Sequence, residues 1–219
     1  WVELKELECA IFPIFIKNNS MRYQPLSASF YRSNRSRFMA QMNGNSLAVF
    51  NSNDIYPISA DSTLPFAQHR DIFYLCGVDQ EESILVLFPN AIDPQHREVL
   101  FVRETNAHIA VWEGHKYTKE EAFAASGIGT ILWLTEFDLV FNSVVNLSET
   151  IYLNTNEHLR AGVVVETRDA RFIKMCKEKH PLHAYERSAP ILHALRGVKE
   201  PEEIQQLQND KRIKTGLTN

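Results

Sequence analysis

Five short, uninterrupted apolar runs constrain the fold of this chain more than any other feature. They are SLAVF (46–50), SILVLF (83–88), EVLFV (98–102), TILWL (130–134) and TIYLN (150–154). A strand that is covered on both faces shows a continuous apolar run, whereas a strand with one wet face alternates apolar and polar residues. The runs therefore predict strands of a sheet that has other layers packed on it.

Segments of helical character alternate with these strands after residue 80. Thr118 and Glu121 have the spacing of a capping box, which begins a helix that Gly127 can end. Further helices are predicted in EFDLVFNSVVN, ARFIKMCKEK, APILHALRGVK and EEIQQLQNDKRI. This order predicts an α/β fold with a mixed, largely parallel β-sheet that is flanked by helices on both faces. The short spacing of the runs at 83–88 and 98–102 predicts one antiparallel hairpin within the sheet.

An amphipathic helix is predicted over residues 27–42. Phe30, Phe38 and Met42 fall roughly on one of its faces. The opposite face carries the only basic cluster of the chain, which consists of Arg32, Arg35 and Arg37. We expect these three arginines to lie in solvent.

Composition excludes several classes of partner. The 219 residues carry a net charge of −4, which favours neither nucleic acid nor an anionic membrane surface. The three cysteines (Cys9, Cys76 and Cys176) are far apart, which argues against a disulfide framework and favours a reducing, cytoplasmic compartment. The apolar run within residues 1–20 is too short for a membrane-spanning helix, and the segment lacks the basic start of a signal peptide. We expect them to be an extension upstream of a natural start at Met21.

Motifs for common chemistries are missing from the sequence. It has no GxGxxG, no GxxxxGK[ST], no GxSxG and no HExxH. His108 and His115 flank Trp112, and a metal role for them is a minor alternative to solvated turn histidines. The paired glutamates at 81–82, 120–121 and 202–203 are expected to be exposed rather than to act as general acids and bases.

Two segments favour a functional interpretation. One is residues 58–77, a long loop that holds Asp61, Pro65 and Phe66 and precedes a predicted aromatic strand. The other is IAVWEGHK (109–116), in which a predicted strand ends at Trp112 and a turn follows at Gly114. The local pattern leaves two roles open for Trp112, which are an edge of the core and a contact outside the chain.

Several stretches together resemble the N-terminal domain of Xaa-Pro aminopeptidase (aminopeptidase P), in the creatinase and prolidase superfamily. They are SADS, LPFAQHRDIFYLCG, ESILVLF, EVLFVRE, VWEGHK and LRGVKEPEEI, in that order between about Met21 and Ile204. The segment QHRD departs from the family's more usual glutamine-asparagine-serine-aspartate. The resemblance implies an N-terminal domain over residues 21–196. It also implies that residues 197–219 start a linker helix to a catalytic domain that this chain lacks.

The activity that the resemblance implies belongs to that missing catalytic domain. In the family, a pita-bread domain binds two manganese ions through two Asp, one His and two Glu, and it releases N-terminal residues that precede proline. For this chain we therefore expect no catalytic residue, no bound cofactor and no metal site. The expected partners are the missing catalytic domain, other subunits of a homo-oligomer and, in the full-length enzyme, short proline-containing peptides.

The resemblance also assigns roles to two residues. Trp112 matches a tryptophan that in relatives reaches into a neighbouring subunit's active site and helps to restrict it to short peptides. Asp61, in SADS, is expected near the same entrance. The predicted function is thus a non-catalytic domain for oligomer contacts and substrate gating. The alternative is a stand-alone binding module of the same superfamily.

Overall fold

The computed structural model describes residues 26–106, 108–109 and 114–216, with side chains through residue 209. Trp112 and residues 1–20 lie outside the described residues. The main sheet consists of β1 (Ser46–Asn51), β4 (Ile84–Leu87), β5 (Glu98–Val102), β6 (Thr130–Trp133), β7 (Thr150–Leu153) and β8 (Ala184–Arg187). A separate hairpin consists of β2 (Pro57–Ser59) and β3 (Ser62–Thr63).

The sheet is mixed, as predicted. Its strand order is β6-β5-β4-β1-β7-β8. Strand β4 is antiparallel to both of its neighbours, which confirms the predicted hairpin between β4 and β5. The pairs β1–β7, β5–β6 and β7–β8 are parallel. The carboxyl ends of β1, β7 and β8 consequently meet at one edge of the sheet.

Helices cover both faces of the sheet, which confirms the predicted layers. They are α1 (Ala28–Met39), α2 (Arg70–Cys76), α3 (Lys119–Ser126), α4 (Phe137–Val145), α5 (Arg168–Lys179), α6 (Ala189–Gly197) and α7 (Pro201–Gly216). Helices α1, α2, α3 and α6 share a core with one face, which we call the α1 face. Helices α4 and α5 pack on the other, which we call the α5 face.

Local sequence signals begin and end α3 where they were predicted. The Thr118 hydroxyl accepts a hydrogen bond from the backbone N–H of Glu121, whose carboxylate in turn accepts one from the N–H of Thr118. Gly127 ends the helix with a φ of 68°, a conformation that glycine adopts without steric cost. The capping box is therefore confirmed.

The aromatic strand predicted at the end of residues 58–77 is wrong, because Arg70–Cys76 forms α2. His69 caps the helix through Nδ1, which accepts a hydrogen bond from the N–H of Asp71, and Gly77 ends it in the left-handed region. A Cβ atom on Gly77 would lie 2.3 Å from the ring of Tyr31. Local capping and tight packing against α1 thus overcome the strand preference of aromatic residues.

The prediction that the arginines of α1 lie in solvent is wrong for Arg35, which is fully buried. Its Nε donates to the Glu98 carboxylate at 3.0 Å, and its Nη1 donates to the backbone carbonyls of Leu75 and Ser126 at 2.9 and 3.0 Å. Burial lowers the pKa of Arg35, and the negative charge of Glu98 opposes that shift. This side chain joins α1 to α2, α3 and β5.

Candidate functional site

Asp61 lies at the tip of the β2–β3 hairpin. The residue is exposed, and the preceding Ala60 has a φ of 49°. The base of the hairpin is closed by a hydrogen bond of 2.9 Å from the N–H of Leu64 to the carbonyl of Tyr56. The structure thus places the Asp61 carboxyl at the surface, on a projection from the main sheet.

Trp112 lies between two described segments of the turn. Before it, His108 and Ile109 are helical, so the predicted strand is wrong at Ile109. The N–H of Ile109 donates to the side chain of Asn106 at 2.9 Å. After it, Gly114 has a φ of 79°, as expected of a turn.

The segment that follows this turn, residues 116–117, is bound to the segment at 79–82. The N–H of Tyr117 donates to the buried Gln80 side chain at 2.6 Å, and Lys116 forms an ion pair with Glu81. Glu81 is only 7% exposed, so the prediction that the glutamate pairs are all exposed is wrong here. The contacts fix the position of the chain at Lys116 and Tyr117.

His115 lies against a carboxylate rather than in a group of metal ligands. Its Nε2 lies 3.2 Å from the Glu121 carboxylate, and both side chains are largely exposed. Among the residues that the structure describes, no group of three or more His, Cys, Asp or Glu side chains could hold a metal ion. A dinuclear manganese centre therefore has no ligand set in the described part of the chain.

A polar network that the sequence did not predict lies where β1 and β7 end. The Asp71 carboxylate accepts hydrogen bonds from Arg196 at 2.7 Å and from Asn154 at 3.2 Å. The Asp169 carboxylate accepts one from Asn51 at 2.8 Å. Burial raises the pKa of Asp169 to about 6, although its hydrogen bond to Asn51 acts in the opposite direction. The network joins α2, α5 and α6 at the carboxyl edge of the sheet.

The segment QHRD supplies part of this network despite its unusual sequence. The side-chain amide of buried Gln68 donates to the carbonyls of Val78 and Gln80 and to the Ser83 hydroxyl, at 2.8 to 3.1 Å. In the sequence, the signal that could have pointed to Asp71 as a member of this network was its position just before an aromatic segment. Its partners Asn154 and Arg196 are 83 and 125 residues away, so no local pattern could identify them.

The residue before α7 and the first turn of α7 are bound to α1 and its cap by polar contacts. Arg37 forms an ion pair with Glu200 at 2.5 Å. The Ser27 hydroxyl, which caps α1, donates to the Glu202 carboxylate at 2.9 Å. The start of the terminal helix is thereby held against the α1 face.

Comparison with known protein families identifies the family of this chain. The family model described as "Aminopeptidase P, N-terminal domain" matches residues 31–152, which is more than half of the chain. The chain belongs to the aminopeptidase P N-terminal domain family. This match confirms the resemblance of the sequence to that family. It covers the hairpin of Asp61 and the turn of Trp112.

Relatives agree with this assignment. The chain is 26% identical to the Xaa-Pro aminopeptidase of Escherichia coli over 180 residues, which are 82% of this chain and 41% of the relative. It is 25% identical to human Xaa-Pro aminopeptidase 3 over 159 residues, or 72% of this chain and 31% of the relative. The chain thus spans less than half the length of these relatives.

Solved structures share the fold. A putative aminopeptidase P from Bacillus anthracis has a TM-score of 0.72 at 24% identity, over 82% of this chain and 42% of that one. A His354Ala form of the E. coli enzyme has a TM-score of 0.66 at 25% identity, over 85% and 42%. Another structure of that enzyme is described as zinc-substituted, so a metal is a property of that relative. None of the helices described for this chain combines the length and the apolar character that a membrane span requires.

Proposed function

We propose that this chain is the non-catalytic N-terminal domain of a manganese-dependent Xaa-Pro aminopeptidase. The family match over residues 31–152 carries this proposal. The chain aligns with 41% of the E. coli relative. In this proposal the rest of the full-length enzyme contains the domain that performs hydrolysis. In this proposal residues 21–196 form the N-terminal domain and residues 197–219 begin the linker to the catalytic domain. The setting is cytoplasmic.

The domain contributes oligomer contacts and substrate gating. Trp112 contacts the active site of a neighbouring subunit, and Asp61 lies near the same entrance. The anchoring of the segment after Trp112 by Lys116 and Tyr117 supports this role, because a gating side chain needs a fixed base. Exposed apolar residues of the last helices, which include Val198, Ile204 and Leu207, support the contacts with other parts of the enzyme.

Two experiments test this proposal. The first reads the genomic DNA past the codon of Asn219, where we expect a frame that encodes the five metal ligands of the family. Absence of such a frame would favour the alternative, a stand-alone binding module. The second compares that longer enzyme with its Trp112→Ala variant on proline peptides of increasing length.

We expect Trp112→Ala to relax the length limit, because removal of the indole ring widens the entrance. The ratio of kcat/KM for a long peptide to that for a tripeptide should rise about tenfold, a change of about 1.4 kcal/mol in transition-state stabilisation. Phe123→Ala, at an exposed position on α3, is the matched control and should leave this ratio unchanged. An unchanged ratio in Trp112→Ala would remove gating from the proposal.

A further inference from the structure

A large crevice lies at the carboxyl edge of the sheet, between β1 and β7. After β1 the chain passes to the α1 face, where α2 packs, whereas after β7 it passes to the α5 face. The two parallel strands are neighbours, so their following segments diverge and leave a gap. In open α/β sheets, ligands bind at such a switch of direction. The crevice has a volume of about 1330 Å³.

One wall of the crevice is apolar. It includes Tyr56 and Leu64 from the β2–β3 hairpin and Val163 and Val165 from the segment before α5. These four side chains are 49 to 54% exposed, although all could be covered by a bound molecule. Most of the other lining residues are polar, so the crevice presents both an apolar and a polar surface to a ligand.

The polar side of the crevice contains a guanidinium group with unused donors. Arg168 donates from Nη1 to the Ser52 hydroxyl at 2.9 Å. In the described part of the chain no carboxylate lies within 4 Å of it, whereas Arg196 pairs with Asp71 and Arg171 pairs with Asp54. A guanidinium has five N–H donors, so Arg168 retains several for a ligand.

The carboxylates near Arg168 already have donors of their own. Glu82, Asp54 and Asp169 are the acids whose charge acts on Arg168. Glu82 pairs with Arg103, Asp54 pairs with Arg171, and Asp169 is bound by Asn51. Arg70 adds a second cation at the exposed rim. The crevice therefore offers guanidinium donors of Arg168 that no described carboxylate uses, beside apolar side chains.

We propose that the crevice binds a small organic anion. Its carboxylate or phosphate accepts hydrogen bonds from the Arg168 guanidinium, whose planar fork suits both groups. Its apolar part packs on Tyr56, Leu64 and Val163. This site is independent of the proposed role of the chain in an aminopeptidase and lies apart from Asp61, which does not line the crevice.

Amide chemical shifts of the ¹⁵N-labelled 219-residue chain test this site. The probes are two matched pairs, N-acetylphenylalanine with its amide and adenosine monophosphate with adenosine. We expect at least one acid to shift the amides of residues 52–54 and 167–170. Its neutral counterpart should bind about tenfold more weakly, because it lacks the charge-assisted hydrogen bonds. Whether the carboxylate or the phosphate probe binds then identifies the source of the anion.

Substitution identifies the group that binds the anion. Arg168→Met keeps the apolar stem and should raise the Kd of the acid about tenfold, whereas Arg168→Lys should raise it less. Lys177→Met, at an exposed position near the end of α5 and outside the crevice, is the control and should leave the Kd unchanged. Amide shifts confined to other regions, equal binding of the neutral probes, or an unchanged Kd in Arg168→Met would each overturn the proposal. Circular dichroism confirms that each variant is folded.

Discussion

Two arginines show how differently the α1 face and the carboxyl edge use the same side chain. Arg35 is fully buried and its guanidinium donates to one carboxylate and two backbone carbonyls. Arg168 borders an open crevice and donates to a single hydroxyl. A fully buried guanidinium serves the fold even though Nη2 of Arg35 has no partner among the described residues, whereas spare donors that border an open crevice are available to a ligand. Substitution of Arg35 should therefore lower the stability of the fold, whereas substitution of Arg168 should weaken ligand binding and leave the stability nearly unchanged.

The largest effect is expected from Arg35→Met. This change leaves the Leu75 and Ser126 carbonyls without their donor and removes the partner of Glu98, so it should cost about 3–5 kcal/mol of unfolding free energy. Urea unfolding followed by circular dichroism measures it.

Arg32→Met is the matched control for that change. Arg32 lies on the exposed side of the same helix and donates to the Gly127 carbonyl at 3.3 Å, so its loss should cost no more than about 0.5 kcal/mol. Equal losses in the two variants would contradict the distinction between structural and surface arginines on α1.

An intermediate effect is expected from Asp169, which stands beside Arg168 at the carboxyl edge. Burial raises its pKa from the ordinary 3.8 to about 6, so the folded chain holds the proton more tightly than the unfolded chain. The resulting stabilisation is fully present below about pH 4 and is lost as the pH rises to about 6, by up to about 3 kcal/mol.

Asp169→Asn should remove that contribution to the pH dependence. Urea unfolding at intervals between pH 4 and pH 7 measures it, and Glu178→Gln, at an exposed position on α5, is the control. If the slope of unfolding free energy against pH were the same in Asp169→Asn and the unsubstituted chain, the assigned proton affinity would be wrong.

The smallest effect on stability is expected from Arg168→Met. Only one hydrogen bond to a hydroxyl is lost, and the methionine stem can still pack, so the unfolding free energy should change by about 0.5 kcal/mol or less. Urea unfolding measures this change in the same preparation that shows weakened anion binding. A loss as large as that of Arg35→Met would assign Arg168 to the fold and remove the contrast between the regions.

The elements that were predicted correctly have strong local signals. The five apolar runs became the interior strands and the edge strand β6, and the capping box of Thr118 and Glu121 fixed the start of α3. Strand β8 was missed because Ala184–Arg187 is an edge strand with mostly exposed residues and no apolar run. The segment of α2 was assigned to a strand because its aromatic residues favour strands, while its caps are weak signals in sequence.

The buried polar groups could not be predicted because their partners are remote in sequence. Arg35 meets acceptors that are 40, 63 and 91 residues away, so a helical pattern alone indicated a surface position. The crevice arises from the divergence of β1 and β7, which only the strand order reveals. The expected roles of Trp112 and Asp61 came from the family resemblance and stay predictions.

The central functional claim is that this chain serves a peptidase without performing its chemistry. The most direct test incubates the purified 219-residue chain with a proline-containing tripeptide and added manganese, with the E. coli Xaa-Pro aminopeptidase as the positive control. We predict release of the N-terminal residue at the rate of the enzyme-free blank. Manganese-dependent release above that blank, which co-purifies with the chain through successive columns, would contradict the account.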